Sequence, residues 1–131
     1  MTRSQRYLVL IFFGVLSVYL SQSFTQESEY GDVTAGRASE IIDLKAELVI
    51  LDVRTQEEYD EEHIEGAIMI PVQELEERLD ELSKDDELLV YCRTGNRSGT
   101  AVSILQGNGF QKIYHMSGGI TAWKAAGYPT V

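Results

Sequence analysis

Cysteine is almost absent from these 131 residues; the only one is Cys92. A lone thiol has no internal partner, which excludes a disulfide framework. Basic residues are also scarce. Eleven Lys and Arg face 21 Asp and Glu, a formal charge of −10, and that balance argues against nucleic-acid binding. No internal repeat is present. There is a single long apolar run, Tyr7 to Leu20, and its length of about 14 residues falls short of the roughly 20 that a membrane span needs.

Arg3 and Arg6 precede that run, and no acidic residue appears before Glu27, which is the pattern of a secretory signal sequence. Ser21 and Ser23 are small residues two apart. Residues 1–23 are therefore expected to be a signal peptide cut before Phe24, or an N-terminal membrane anchor if uncut. No cysteine lies at the end of the run to carry a lipid. Residues 24–31 read as a polar linker and residues 32–131 as one globular domain of ordinary size. The expected location is exported, periplasmic or otherwise extracytoplasmic, the alternative being a domain tethered through residues 7–20. Loss of Arg3 and Arg6 leaves nine basic residues against 21 acidic ones, a charge of −12. Such a surface repels anions at long range, so an anionic substrate needs a local cationic site.

Continuous apolar runs at Leu48-Val49-Ile50-Leu51 and Leu88-Leu89-Val90-Tyr91 have the pattern of parallel strands buried on both faces. Ala67 to Ile70 and Lys112 to Met116 read as further strands. Thr34 caps a helix predicted over 35–43, and Thr55 with Glu58 forms a capping-box signature for the next. Val72, Leu75, Leu79 and Leu82 stand at helical spacing. Further helices are predicted over 98–106, ended by Gly107-Asn108-Gly109, and over 120–126. Alternating strands and helices on short connections predict an α/β fold with a mainly parallel central sheet and helices on both faces.

In such sheets ligands bind beyond the carboxyl ends of strands, and Cys92 occupies that position. It opens the polar segment Cys92-Arg93-Thr94-Gly95-Asn96-Arg97-Ser98, which leads straight into a helix. Gly95 tolerates positive φ and Asn96 the left-handed region, so successive backbone N–H groups can turn inward around an anion. Arg93 and Arg97 each offer a fork for two oxygens, and Ser98, as first residue or cap of the helix, adds a hydroxyl. A thiol ahead of a helix N-terminus and beside two arginines is expected to ionise readily. A lone cysteine is more often a small buried hydrophobe; strand, glycine loop, two arginines and helix together reverse that reading.

Three ordered motifs carry a resemblance to the rhodanese family of sulfurtransferases. The first is Leu51-Asp52-Val53-Arg54-Thr55 with Glu58-Tyr59, His63-Ile64-Glu65-Gly66-Ala67 and Ile70-Pro71. The second runs from Val90 through Ser98. The third is Gly118-Gly119-Ile120 with Ala122-Trp123 and Gly127-Tyr128-Pro129. Four residues separate Cys92 from Arg97, the shorter loop of that family; the cysteine phosphatase loop has five. One departure is Glu62, where a glycine is usual, and a local change is expected in that turn.

The resemblance implies a single rhodanese-like domain that moves a sulfane sulfur from thiosulfate or a related donor to cyanide or a thiol through a Cys92 persulfide. It implies no metal or organic cofactor, with small-molecule donor and acceptor as partners; because no second apolar segment follows the leader, a monomer is the default state. Residues 93–98 would bind substrate. Asp52 and Arg54 end a neighbouring strand and are expected to support the loop as an internal ion pair. His63 reads as a packed or turn-stabilising residue, Trp123 as core, and the acidic stretch 57–62 as a solvated helix face. Two other readings stay open: a non-catalytic persulfide carrier or regulatory module, and a cysteine phosphatase or arsenate reductase, against which the four-residue spacing speaks.

Overall fold

The computed structural model describes residues 29–131; the expected leader over residues 1–23 and residues 24–28 of the linker lie outside the described residues. Five strands, β1 (Gly31–Val33), β2 (Val49–Asp52), β3 (Ile68–Met69), β4 (Leu88–Tyr91) and β5 (Ile113–Met116), form one sheet in the order β1-β5-β4-β2-β3. Every pairing is parallel. Four α-helices accompany them: α1 (Ala35–Leu44), α2 (Gln56–Glu61), α3 (Asn96–Gly107) and α4 (Gly119–Ala125). The expected α/β layering is what the chain adopts.

The sheet separates two apolar clusters. On one face Leu89 and Tyr91 of β4 pack with Ile41 of α1 and Trp123 of α4. On the other, Leu88, Val90 and Cys92 pack with Ala101 and Leu105 of α3. All four residues of β4 are buried, as the continuous apolar run requires of a central parallel strand. The alternation along β4 thus delivers Tyr91 to the α1 and α4 side and Cys92 to the α3 side.

Local capping follows the sequence closely. The Thr34 hydroxyl accepts from the Arg37 N–H, and Thr55 with Glu58 closes a full capping box at α2. Glu62 ends α2 in extended backbone (φ −166°, ψ 147°), so this turn needs no left-handed glycine. Its carboxylate instead accepts from Thr130 at 3.0 Å and pairs with Lys124, tying α2 to the C-terminal segment.

Three expectations are corrected. The linker assigned to 24–31 ends earlier, because Gly31 opens β1 against Tyr114 of β5. Just before it, the Tyr30 ring lies 5.0 Å from that of Tyr114, and Glu29 accepts from the Tyr114 hydroxyl and pairs with Lys45. The helix expected over 72–82 is two 3₁₀ segments, Val72–Glu74 and Glu76–Glu81, the second kinked at Arg78 (φ −117°, ψ 18°). Steps of three residues, 72 to 75 and 79 to 82, suit a 3₁₀ turn as well as an α-helix, and the kink absorbs the four-residue step between them. Finally, α3 begins at Asn96, because Gly95 at φ 105° turns the chain into the helix; Ser98 is its third residue and not its cap.

Candidate active site

Cys92 is 1 % exposed at the end of β4, and its sulfur meets a ring of donors. The Gly95 N–H points at Sγ from 3.1 Å, and the Ser98 hydroxyl lies 3.2 Å away. Burial pushes the thiol up, but hydrogen bonds from the Ser98 hydroxyl and from the N–H groups of Ser98, Gly95 and Thr94 outweigh it, so the thiol lies below its ordinary value. These donors belong to the loop and the first turn of α3, where N–H groups lack intrahelical partners and favour negative charge.

The loop is held from the opposite side by the Gly118-Gly119 turn. Ile120 N–H donates to the Cys92 carbonyl at 2.9 Å and Thr121 N–H to the Arg93 carbonyl at 3.1 Å, so the first turn of α4 clamps the loop. Close approach explains the glycines. A Cβ on Gly95 would lie 2.0 Å from the Ser117 carbonyl oxygen, and one on Gly119 (φ 65°) 2.2 Å from that of Arg93. Neither position has room for a side chain, and both have the positive φ that glycine accepts without cost.

The two arginines of the loop differ. Arg97 is bidentate to Glu58, Nη1 to Oε1 at 2.6 Å and Nη2 to Oε2 at 2.9 Å. That pair holds the Glu58 carboxyl at about 2. Arg93 is exposed and borders a cleft of about 310 Å³ with Arg54, Glu58, Glu62, Thr121 and Lys124 among its walls; Cys92 is not one of them. Thr94 and Asn96 are exposed and take part through backbone, Thr94 by its N–H toward sulfur and Asn96 as the start of α3.

Asp52 and Arg54 form a buried ion pair. Arg54 Nε and Nη2 donate to the Asp52 carboxylate at 2.8 to 3.1 Å, and Nη2 also donates to the Glu62 carbonyl at 2.7 Å. The Tyr91 hydroxyl donates to Asp52 Oδ2 at 2.7 Å and accepts from the Ile64 N–H at 3.1 Å. This network braces β2, β4 and the turn after α2 and does not touch Cys92. His63 stacks on Tyr59 with ring centroids 3.7 Å apart, and the Trp123 indole N–H donates to the Pro129 carbonyl. Glu58, taken from sequence as part of a solvated face, is instead half-buried against Arg97.

Sequence reasoning missed His115 and Asp32. His115 Nε2 is 2.7 Å from Ser98 Oγ, and its Nδ1 is 3.0 Å from Asp32 Oδ1. The available signal was a histidine inside Ile113-Tyr114-His115-Met116, a strand otherwise filled with apolar and aromatic residues. Among the described residues no cluster of His, Cys, Asp and Glu suits a metal ion.

Comparison with known proteins places this geometry. The family model for the rhodanese-like domain matches residues 34–126. YrkF of Bacillus subtilis, whose name places it among sulfur carrier proteins, is 39% identical over 82 residues, covering 63% of this chain and 44% of YrkF. The chain thus spans less than half the length of that relative. The thiosulfate sulfurtransferase GlpE of Coxiella burnetii is 38% identical over 81 residues, covering 62% of this chain and 76% of GlpE. Among solved structures, a rhodanese-related protein from Thermoplasma volcanium superposes with a TM-score of 0.70 at 36% identity, covering 78% of this chain and 98% of that one.

Proposed function

The chain belongs to the rhodanese-like family, and from that membership we propose that it is a sulfurtransferase working through a persulfide on Cys92. The observation that carries the reading is the donor ring on Sγ, where Gly95 N–H and the Ser98 hydroxyl converge on a sulfur at the mouth of a parallel strand. Such a ring stabilises a thiolate, and a thiolate is the nucleophile sulfur transfer requires.

The Cys92 thiolate attacks the outer sulfur of a donor such as thiosulfate. The new Sγ–S bond forms as the bond between the donor's two sulfurs breaks, and sulfite departs with that electron pair. The persulfide anion that remains keeps the negative charge within reach of the same N–H groups. Cyanide or a thiolate then attacks its outer sulfur, thiocyanate or a new persulfide leaves, and the Cys92 thiolate returns. Arg93, exposed on the cleft, is assigned the donor's oxyanion; Arg97 becomes available when Glu58 releases it. The loop's fixed donors face the charge in both half-reactions, which is how a preorganised site lowers barriers.

A turnover assay tests the enzymatic reading: thiosulfate and cyanide with the full chain yield thiocyanate, and Cys92→Ala yields none. Persulfide formed without turnover on any small acceptor favours the carrier reading, in which a partner protein takes the sulfur. Phosphate-ester hydrolysis that survives in place of sulfur transfer contradicts both. The Arg3, Arg6 and Tyr7 to Leu20 pattern supports the further proposal that this chemistry takes place outside the cytoplasm. Fractionation of the native host checks it, and recovery in the cytosol overturns it.

A further inference from the structure

Behind the nucleophile a hydrogen-bonded line runs from the buried sulfur to the surface. Cys92 Sγ to Ser98 Oγ is 3.2 Å, Ser98 Oγ to His115 Nε2 is 2.7 Å, and His115 Nδ1 to Asp32 Oδ1 is 3.0 Å. Ser98 is fully buried and His115 is 8 % exposed. The Asp32 side chain is 74 % exposed, so the line ends in water. It is assembled from three elements: α3 supplies Ser98, β5 supplies His115, and β1 supplies Asp32, the register partner of His115. On the α3 side the ring faces Gly99, where an added Cβ would lie 3.9 Å from it, and on β4 its register partner is the apolar Val90. Asp32 and, through Ser98, Cys92 are thus the ionisable groups on its hydrogen-bond path.

Counting hydrogens along this line leaves two arrangements. A carboxylate oxygen accepts, so Nδ1 carries hydrogen. If Nε2 is bare, it accepts the single Ser98 hydrogen, and the Ser98 oxygen then has none to give the sulfur; Cys92 must be the thiol, donating to Ser98. If Nε2 carries hydrogen, it donates to Ser98 Oγ and the Ser98 hydroxyl turns to Cys92, whose sulfur accepts that bond best as the thiolate. The two arrangements hold the same number of protons and the same net charge. They differ in the place of one proton, and one serine hydroxyl links them.

We propose that Ser98 and His115, oriented by Asp32, form a proton relay that carries the Cys92 proton to His115 Nε2, making the resting nucleophile a thiolate–imidazolium pair bridged by the Ser98 hydroxyl. The S–H bond breaks as the Ser98 oxygen gains that hydrogen, and the Ser98 O–H bond breaks as Nε2 gains its own. No oxidant or other reactant takes part. His115 acts on the sulfur through Ser98 and is a positioning residue in that sense. Asp32 holds the ring tautomer and neutralises the charge that appears on it. Because Asp32 is not among the walls of the cleft beside Arg93, proton exchange with water has its own route. The inference shares Cys92 with the sulfur-transfer reading but concerns only the ionisation of that thiol.

The test needs no sulfur donor. The rate of Cys92 alkylation by iodoacetamide is followed against pH in the full chain and in His115→Gln, whose side-chain amide can still donate to Ser98 but cannot take a proton. The relay predicts a midpoint higher by about one pH unit or more in His115→Gln, the size expected when a paired cation is removed. An unchanged midpoint overturns it. The second arm leaves His115 in place and follows its ring carbons by NMR in the wild-type chain and in Cys92→Ala. Coupling between two groups is reciprocal, so removal of the thiolate must lower the pH at which the ring signals change by a similar amount. Ring signals indifferent to Cys92→Ala overturn the relay even where His115→Gln disturbs the loop. Absence of sulfur transfer with both shifts present would sink the sulfurtransferase reading and leave the relay standing.

Discussion

Two polar networks flank β4 on opposite faces of the sheet, and they differ in how far their protons are determined. On the α1 and α4 side, every hydrogen bond among Tyr91, Asp52, Arg54 and the Glu62 carbonyl has a fixed direction: guanidinium and phenol donate, carboxylate and carbonyl accept. On the α3 side, the Cys92, Ser98, His115 and Asp32 line holds one proton with two possible seats. Tyr91, the last residue of β4, and Cys92, which follows it, thus enter a rigid brace and a labile line. A fully determined network contributes rigidity, whereas an ambiguous one has chemistry available to it.

Breaking the brace should have the largest effect on stability. Asp52→Ala leaves a buried Arg54 without its carboxylate and is expected to cost about 3–5 kcal/mol in chemical denaturation, the usual penalty for stranding a buried charge. The alkylation profile of Cys92 in the molecules that remain folded should stay where it was. A midpoint that moves as far as in His115→Gln would erase the distinction between the two faces.

Gly95→Ala acts on the labile side. Positive φ at a residue with a Cβ costs about 1–3 kcal/mol, and the 2.0 Å approach to the Ser117 carbonyl forces the loop to shift. Because the Gly95 and Thr94 N–H groups then lose their aim, the thiol midpoint should rise and persulfide loading at neutral pH should fall by about tenfold. Loading at the wild-type rate would show that the sulfur does not depend on those donors.

The smallest effect concerns the ion pair outside both networks. Arg97 lowers the Glu58 carboxyl from 4.5 to about 2, so the pair stabilises the fold above pH 4.5, and that contribution is lost as pH falls toward 2. Both side chains are partly exposed, and at neutral pH Glu58→Gln should cost no more than about 1 kcal/mol. Melting temperature against pH should show the variant falling less steeply over that interval. Parallel loss in both chains would contradict the pairing.

What was legible in the sequence follows from the range of the forces involved. The strand at Leu88 to Tyr91, the Thr34 cap and the Thr55 and Glu58 box depend on neighbours a few residues apart, and each forms as read. The cysteine loop was legible because Gly95 and the following helix are local to it. β1 was missed because three residues, one of them Asp32, are too short and too polar to show a strand pattern. His115 and Asp32 reach the site across 17 and 83 residues of separation, distances that only the parallel sheet order closes. The Glu58 to Arg97 pair spans 39 residues and was hidden for the same reason.

The most direct measurement is the intact mass of the full chain before and after thiosulfate, with Cys92→Ala beside it. The account predicts a gain of one sulfur that cyanide or a thiol removes and that the variant never shows. A chain that gains no sulfur, or gains it equally without Cys92, contradicts the account at its centre.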